Sequence, residues 1–276
     1  MNYRALFASL VLTAAAVPTA QAAAWYGGQF SAEITMSGTK DPANKAQGKL
    51  FIGADKARAE GNHNNETKVV IRDNAKQKFF TLLPGKKEYY EGLGDAPPPP
   101  MPEVDVLPAD ADSLCNTQKA HVACTKQGAE TLDGVNVEKW LIQMTPPAQQ
   151  GQPPQPPRLI TMWVDPAKRA ILKQETQGGP SMVRKFGGAG EMNGRQVEKW
   201  GVTQSFQNQS MSSTLWVDPK LKLTIKAVGG DYNMDVTNVQ EGAQDPKLFE
   251  VPADFKQIQP PKPPQQPGSG PGGPPR

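Results

Sequence analysis

The chain has 276 residues, 28 of them Pro and 26 Gly, so about a fifth of it resists regular structure. Thirty basic against 27 acidic residues leave a formal charge of +3. That balance argues against a nucleic-acid binder, which needs a clustered surplus of Lys and Arg to displace counterions. It also argues against a chain kept unfolded by its own charge, so the breakers are local and the remainder can bury a core.

At the N-terminus, Arg4 is followed by an uncharged stretch from Ala5 to Val17, the breaker Pro18 and the A-x-A triplet Ala20-Gln21-Ala22. This is the pattern of a cleaved signal peptide over residues 1–22. The apolar run is too short to cross a bilayer core of about 30 Å. No Cys stands immediately after the cleavage point, and no later run is apolar enough to span a membrane. The expectation is an exported, periplasmic, soluble chain from about residue 23, with secretion past an outer membrane left open.

Cys115 and Cys124, the only cysteines, are expected to form a structural disulfide, because disulfides persist outside the cytoplasm. A redox pair would favour C-x-x-C instead. His121 lies between them, but C-x5-H-x2-C is not a usual zinc spacing and no fourth ligand is near. His63 sits in a polar turn. No metal, no cofactor and no catalytic constellation is expected, and the protein is read as a non-enzyme.

Twenty of the 28 prolines fall in three places. Insertions near 95–108 and 146–157 and a tail over 259–276 read as polyproline II or mobile loop. Between them the hydrophobic period is two, as in Phe30, Ala32, Ile34 and Met36. Short β-rich runs follow at Leu50–Ile52, Val69–Ile71, Phe79–Phe80 and Tyr89–Tyr90, then from Val137 to Val239. Turn signals such as Asp133-Gly134, Asn193-Gly194 and Gly229-Gly230 recur about every 8–12 residues, which is the mark of an antiparallel meander. The clearest helix candidate is the short Ala109–Gln118.

One repeat stands out. Asp133-Gly134-Val135-Asn136-Val137-Glu138-Lys139-Trp140 matches Asn193-Gly194-Arg195-Gln196-Val197-Glu198-Lys199-Trp200, and each copy leads to Trp-Val-Asp-Pro at Trp163–Pro166 and Trp216–Pro219. Two hairpin units are expected, over 132–176 and 192–228, with Asp165-Pro166 and Asp218-Pro219 as strand-ending turns. The four repeat tryptophans, Trp140, Trp163, Trp200 and Trp216, either pack a core or line an apolar cavity. A bent sheet with few helices leaves one face to be covered by a ligand, a partner or the Pro-rich loops.

The order Val-Glu-Lys-Trp, Leu-Trp-Val-Asp-Pro and Gly-Ala-Gln-Asp-Pro-Lys-Leu-Phe-Glu-Val-Pro-Ala-Asp-Phe resembles the C-terminal half of periplasmic LolA-like proteins. The segment Lys56–Glu91 is similar to their N-terminal strands. The resemblance implies a mainly β domain over 23–258, a strongly bent antiparallel sheet or unclosed barrel with few short helices. It also implies that the concave face holds an acyl chain, lipid or lipidated partner, with the four tryptophans as cavity candidates. The alternative is an extracytoplasmic interaction module whose Pro-rich segments dock on an envelope protein.

The cysteine pair gives a direct test. Titration of the denatured, non-reduced protein with a thiol reagent is expected to find almost no free thiol; two equivalents per chain would exclude the bridge.

Overall fold

The computed structural model describes residues 26–40, 45–63, 66–76, 78–92, 122–145, 156–168, 170–230 and 232–260. The expected signal peptide, the 95–108 insertion and most of the 146–157 insertion lie outside those residues. So do the Ala109–Gln118 helix candidate, Cys115, His121 and the tail after 260, and the Cys115–Cys124 bridge remains a proposal.

Sixteen strands form one sheet. The first six are β1 (Phe30–Gly38), β2 (Lys45–Ile52), β3 (Lys56–His63), β4 (Glu66–Asp73), β5 (Lys78–Leu83) and β6 (Glu88–Glu91). They continue with β7 (Val122–Leu132), β8 (Val135–Met144), β9 (Arg158–Asp165), β10 (Ala170–Thr176) and β11 (Ser181–Met192). The last five are β12 (Arg195–Phe206), β13 (Gln209–Asp218), β14 (Leu223–Gly229), β15 (Tyr232–Glu241) and β16 (Lys256–Gln257). The order across the sheet is β16-β6-β5-β4-β3-β2-β1-β15-β14-β13-β12-β11-β10-β9-β8-β7, and its two ends do not meet. Neighbours are antiparallel except for β16, which runs parallel to β6. Among the described residues the only helical turns are two 3-10 turns, Pro84–Lys86 and Pro246–Phe249.

Two meanders make up this sheet, β1 to β6 and β7 to β15. The β1–β15 ladder joins them, from Phe30 opposite Glu241 to Gly38 opposite Tyr232. With no helical layer beside it among the described residues, the sheet covers itself by bending. Phe30, Leu50 and Leu223 expose nothing to solvent, in a cluster that gathers Ile34, Ile52 and Ala59 from the first meander with Val197, Ile225 and Val236 from the second. On the other side of β2–β6, the chain after β15 folds back. Phe249, with Leu248, Val251 and Phe255, packs on Val69, Ile71, Leu82, Phe51 and Phe80. Arg58 fixes that return by donating from Nη1 to the Leu248 carbonyl at 3.0 Å.

The duplicated unit is one strand longer than the sequence repeat, running β7–β10 and β11–β14. In both copies the hairpin turn has two positive φ angles, Asp133 and Gly134 at 49° and 83°, Asn193 and Gly194 at 53° and 73°. This is the turn that matches strand twist and tolerates only Asn, Asp or Gly readily. Both copies carry a bulge in the strand before the turn, at Lys126/Gly128 and Phe186/Ala189. Both carry another near the second Trp, at Ile171/Lys173 in β10 and beside Trp216/Val217. A bulge adds bend and twist, so the copies bend the sheet at equivalent points.

The Asp-Pro pairs end strands as expected, and their carboxylates hold the turns. Asp165 Oδ1 accepts from the backbone N–H groups of Ala167 and Lys168 at 2.8 and 3.1 Å. Asp218 Oδ1 accepts from Lys220 and Leu221 at 2.8 and 3.0 Å. The second copy adds an ion pair, because Arg195 Nε donates to Asp218 Oδ2 at 2.6 Å while its Nη2 reaches Glu241 at 2.6 Å. Both aspartates are buried, so losing either orphans backbone donors. Asp165→Ala is expected to cost about 1–2 kcal/mol. Asp218→Ala should cost about 2–4 kcal/mol, since it also strips a partner from a mostly buried guanidinium. Urea denaturation of the two variants side by side checks the order; equal costs would show that the Arg195 pair adds nothing.

Candidate functional site

Register decides which side chains share a face, because directly paired residues point the same way and strand neighbours alternate. One row runs Trp140–Met162–Gln174–Met182–Gln204–Met211 across β8 to β13. A second runs Phe186–Trp200–Leu215–Ala227–Met234–Met36–Ala46 across β11 to β2. Both rows lie on the face that carries Phe30, Ile34 and Leu50, here called the apolar face.

Among the described residues six large apolar side chains are exposed: Met144, Phe186, Phe206, Met211, Val228 and Tyr232, at 39% to 47%. Five of them belong to this one face. Phe186 and Met211 stand in the rows above, and Met144, Phe206 and Tyr232 are an even number of residues from Trp140, Gln204 and Met234. Only Val228, opposite Thr214, lies on the reverse face. A surface that leaves large apolar groups on one side and almost none on the other is not a random scatter.

The same registers split the four candidate tryptophans into two pairs. Trp140 and Trp200 lie on the apolar face. Trp163 and Trp216 lie on the reverse face, opposite Lys139 and Lys199 respectively. Trp140 packs with Val164, Ile171, Met182 and Val202. The faces are local to each stretch of strand, because the curl of the bulged sheet brings opposite sides together: Trp163 and Trp200 share a cluster with Val137 and Leu172, and half-buried Trp216 packs against the central core that holds Phe30 and Leu50. The three fully clustered rings are each 6% exposed.

Each indole is also served electrically. Trp140 and Trp200 donate Nε1–H to Glu138 and Glu198, two residues back on the same face, at 3.2 Å in both copies. Those carboxylates hold Lys126 at 2.7 Å and Lys168 at 2.9 Å. The Lys126 ammonium lies 5.7 Å from the Trp140 centroid, and that of Lys168 lies 3.9 Å from Phe186 and 6.0 Å from Trp200. On the reverse face Lys139 and Lys173 flank Trp163 at 5.1 and 4.5 Å, Lys199 covers Trp216 at 5.6 Å, and Trp163 Nε1 donates to Glu130. These are cation–π contacts with the lysine stems laid over the rings. The Val-Glu-Lys-Trp motif therefore has a physical meaning: Glu serves its own Trp, and Lys serves the Trp of the next strand.

A separate trough of about 300 Å³ opens on the reverse face of β1–β4. Glu33, Gln47, Lys49, Glu60 and Asn62 line it, and no tryptophan borders it. Gly48 borders it, at a point where a Cβ would meet the Glu60 carbonyl oxygen at 2.4 Å. Among the described residues no group of three or more His, Cys, Asp or Glu side chains is placed to hold a metal ion.

The face-forming residues Met144, Phe186, Phe206, Met211 and Tyr232 were not candidates from sequence. Four of them sit at or near a strand end and Phe186 lies mid-strand at the β11 bulge, so only register puts them on one side.

No family model matches the chain, and no curated protein matches it. Solved structures similar to it include a domain from Vibrio parahaemolyticus named for outer membrane lipoprotein sorting. It is 10% identical over 81% of this chain and 89% of that one, with a TM-score of 0.39. A DUF1329 family protein from Desulfovibrio piger is 11% identical over 82% and 90%, with a TM-score of 0.37. An uncharacterized conserved protein from Thermus thermophilus is 9% identical over 84% and 91%, with a TM-score of 0.29. At these scores the rows of side chains, not the neighbours, carry the functional reading.

Lys126 and the Trp140 N–H hold the Glu138 carboxyl below its ordinary value of 4.5, the Lys126 hydrogen bond contributing most. A lowered carboxyl stabilises the fold above its unfolded pKa, and that contribution is lost as pH falls through the lowered one. The pair is substantially exposed, so its worth is below about 1 kcal/mol. Glu138→Gln is expected to flatten stability against pH below about 4.5, read by denaturant midpoints across that range. An unchanged slope would show that the carboxylate is not coupled to folding.

Proposed function

We propose that this chain is an exported, non-enzymatic periplasmic protein that holds an apolar ligand against the apolar face of its bent sheet. The ligand is an acyl chain, a lipid or the lipid of a lipidated partner protein. The observation that carries the reading is the one-sided exposure of Met144, Phe186, Phe206, Met211 and Tyr232, beside Trp140 and Trp200. Each is a little under half exposed, so covering the remainder of each is worth about 1 kcal/mol, and five together favour an apolar partner. The sequence resemblance to LolA-like proteins supports an apolar ligand held by the sheet.

The tryptophan pairs supply the test. Dibromostearate, whose bromines quench a neighbouring indole, is added to delipidated protein. Saturable quenching is expected, and it should largely disappear in the Trp140→Phe/Trp200→Phe variant. The Trp163→Phe/Trp216→Phe variant should keep it. Absence of saturable quenching, or loss confined to the second variant, would overturn the reading.

A further inference from the structure

The exposed apolar side chains also gather at one end of the sheet. Met144 ends β8, Phe206 ends β12, Met211 is third in β13, Val228 is next to last in β14, and Tyr232 opens β15. In antiparallel succession β8, β12 and β14 finish where β13 and β15 begin, so five of the six side chains named above stand on one rim. Val228 decides what that rim can meet. It faces away from the other four, so a ligand lying on the apolar face does not reach it. A surface met end-on reaches all five.

The rim is continuous and its turns are tied together. A Cβ on Gly230 would meet the Met211 sulfur at 3.0 Å, so the β12–β13 tip lies against the β14–β15 turn. The Gly230 N–H bonds the Ser212 carbonyl at 3.2 Å, and the Thr39 hydroxyl donates to the Gly230 carbonyl at 3.0 Å. Gln207 and Asn208 make the β12–β13 turn with φ of 46° and 65°, the tight connection of a hairpin. Tips whose backbone groups are answered within the chain suit a medium poor in water.

Charge separates the two ends of these strands. The sequences 141–157, 176–183, 201–217 and 227–234, which run into and out of this end, contain one charged residue, Asp231. Asp133, Asp165, Lys168, Arg195, Asp218 and Glu241 all stand at the opposite end. Three exposed cations border the neutral rim: Arg158 opposite Met144, Lys45 opposite Ser37, and Lys40 just past β1. None of the three makes an ion pair among the described residues, whereas the nearby carboxylate of Glu175 is held by Lys173 at 2.7 Å. A neutral rim of aromatic and aliphatic groups fits the boundary between lipid headgroups and acyl chains. Unpaired cations at its border complement anionic headgroups.

We infer that this rim docks on a bilayer surface containing anionic phospholipid, with Phe206, Val228 and Tyr232 set among the headgroups and Arg158, Lys40 and Lys45 attracted to their charge. The rim passes into the apolar face at Met144 and Met211, so the docked protein meets acyl chains at the end of its ligand face. Passage of a lipid between the two rests on the binding reading above; the docking does not.

Sedimentation with sucrose-loaded vesicles tests this, using phosphatidylcholine alone or mixed with phosphatidylglycerol. The mature protein is used, freed of the expected signal peptide so that residues 1–22 do not bind lipid themselves. Binding to the mixed vesicles is expected to be roughly tenfold or more tighter than to phosphatidylcholine, and to weaken as salt is added. Phe206→Ser/Val228→Ser should weaken it roughly tenfold or more. Gln207→Asp/Asn208→Asp should do the same by repulsion, and it changes only an exposed turn that accepts Asp. Phe186→Ser, mid-strand on the apolar face, should leave vesicle binding unchanged. Failure of the native protein to bind either vesicle would overturn the docking surface and leave the ligand site, which dibromostearate tests separately. Equal binding to both vesicles would overturn the anionic partner. Unchanged binding by the Asp variant, or an equal loss in Phe186→Ser, would show that the rim is not the contact.

Discussion

Every strand pair in this sheet but two joins consecutive strands, and of those two only β1 with β15 is long. That ladder brings together residues about 200 apart in the chain, Phe30 with Glu241 and Gly38 with Tyr232. Without it there would be two meanders, each with an apolar side and nothing to set against it. With it, Phe30, Ile34 and Leu50 meet Ile225 and Val236 in one cluster, and the bend becomes self-supporting. Closing so distant a contact costs loop entropy before any burial rewards it. The hairpins on either side have to form on their own strength, which is where the Asp-Gly and Asn-Gly turns and the buried aspartates act.

The second exception, β16 on β6, closes the other side. Lys256 N–H bonds the Lys87 carbonyl at 2.9 Å and Ile258 N–H bonds that of Tyr89 at 2.8 Å. These bonds hold the segment whose Phe249 and Leu248 cover the reverse face of β2–β6. At the opposite end of the sheet β7 carries little apolar surface, and its bulge at Lys126/Gly128 breaks the regular edge. Such an edge is a poor template for another chain.

Much of this fold was legible in the sequence because its pattern is physical. Phe30 to Met36 alternates, and the strand is there. Asp133-Gly134 and Asn193-Gly194 turn as their residues demand. The unseen strands fail for stated reasons. β3, Lys-Ala-Arg-Ala-Glu-Gly-Asn-His, has no β-branched or aromatic residue and buries only Ala57 and Ala59, so periodicity alone does not reveal it and only the family resemblance pointed to a strand there. β7 is nearly all exposed, so it shows no apolar alternation to read. β16 is two exposed residues placed by tertiary packing alone. Leu221 was expected within a strand but lies in the turn before β14, held by Asp218. The four tryptophans were legible as a matched set. Their division between faces was not, because it depends on which strand partner each one meets.

That division also shows how this sheet protects its large rings. On the reverse face Lys139, Lys173 and Lys199 lay their stems over Trp163 and Trp216 and keep their ammonium groups in water. Aliphatic lysine stems thus do what a helix would otherwise do. On the apolar face Lys126 and Lys168 do the same for Trp140 and Trp200, each tethered by the Glu of its own motif. The duplicated motif therefore shields its rings on both sides of the sheet. The shielding stops short of Met144, Phe206, Met211 and Tyr232, toward the ends of the same strands, over which no lysine is laid among the described contacts. Phe186 marks the boundary, with Lys168 over its ring and nearly half its surface still exposed. A fold that covers its tryptophans with such consistency, yet leaves these side chains bare on one face, has the same chemistry available to cover them. Their exposure is best understood as surface kept open for something apolar to occupy.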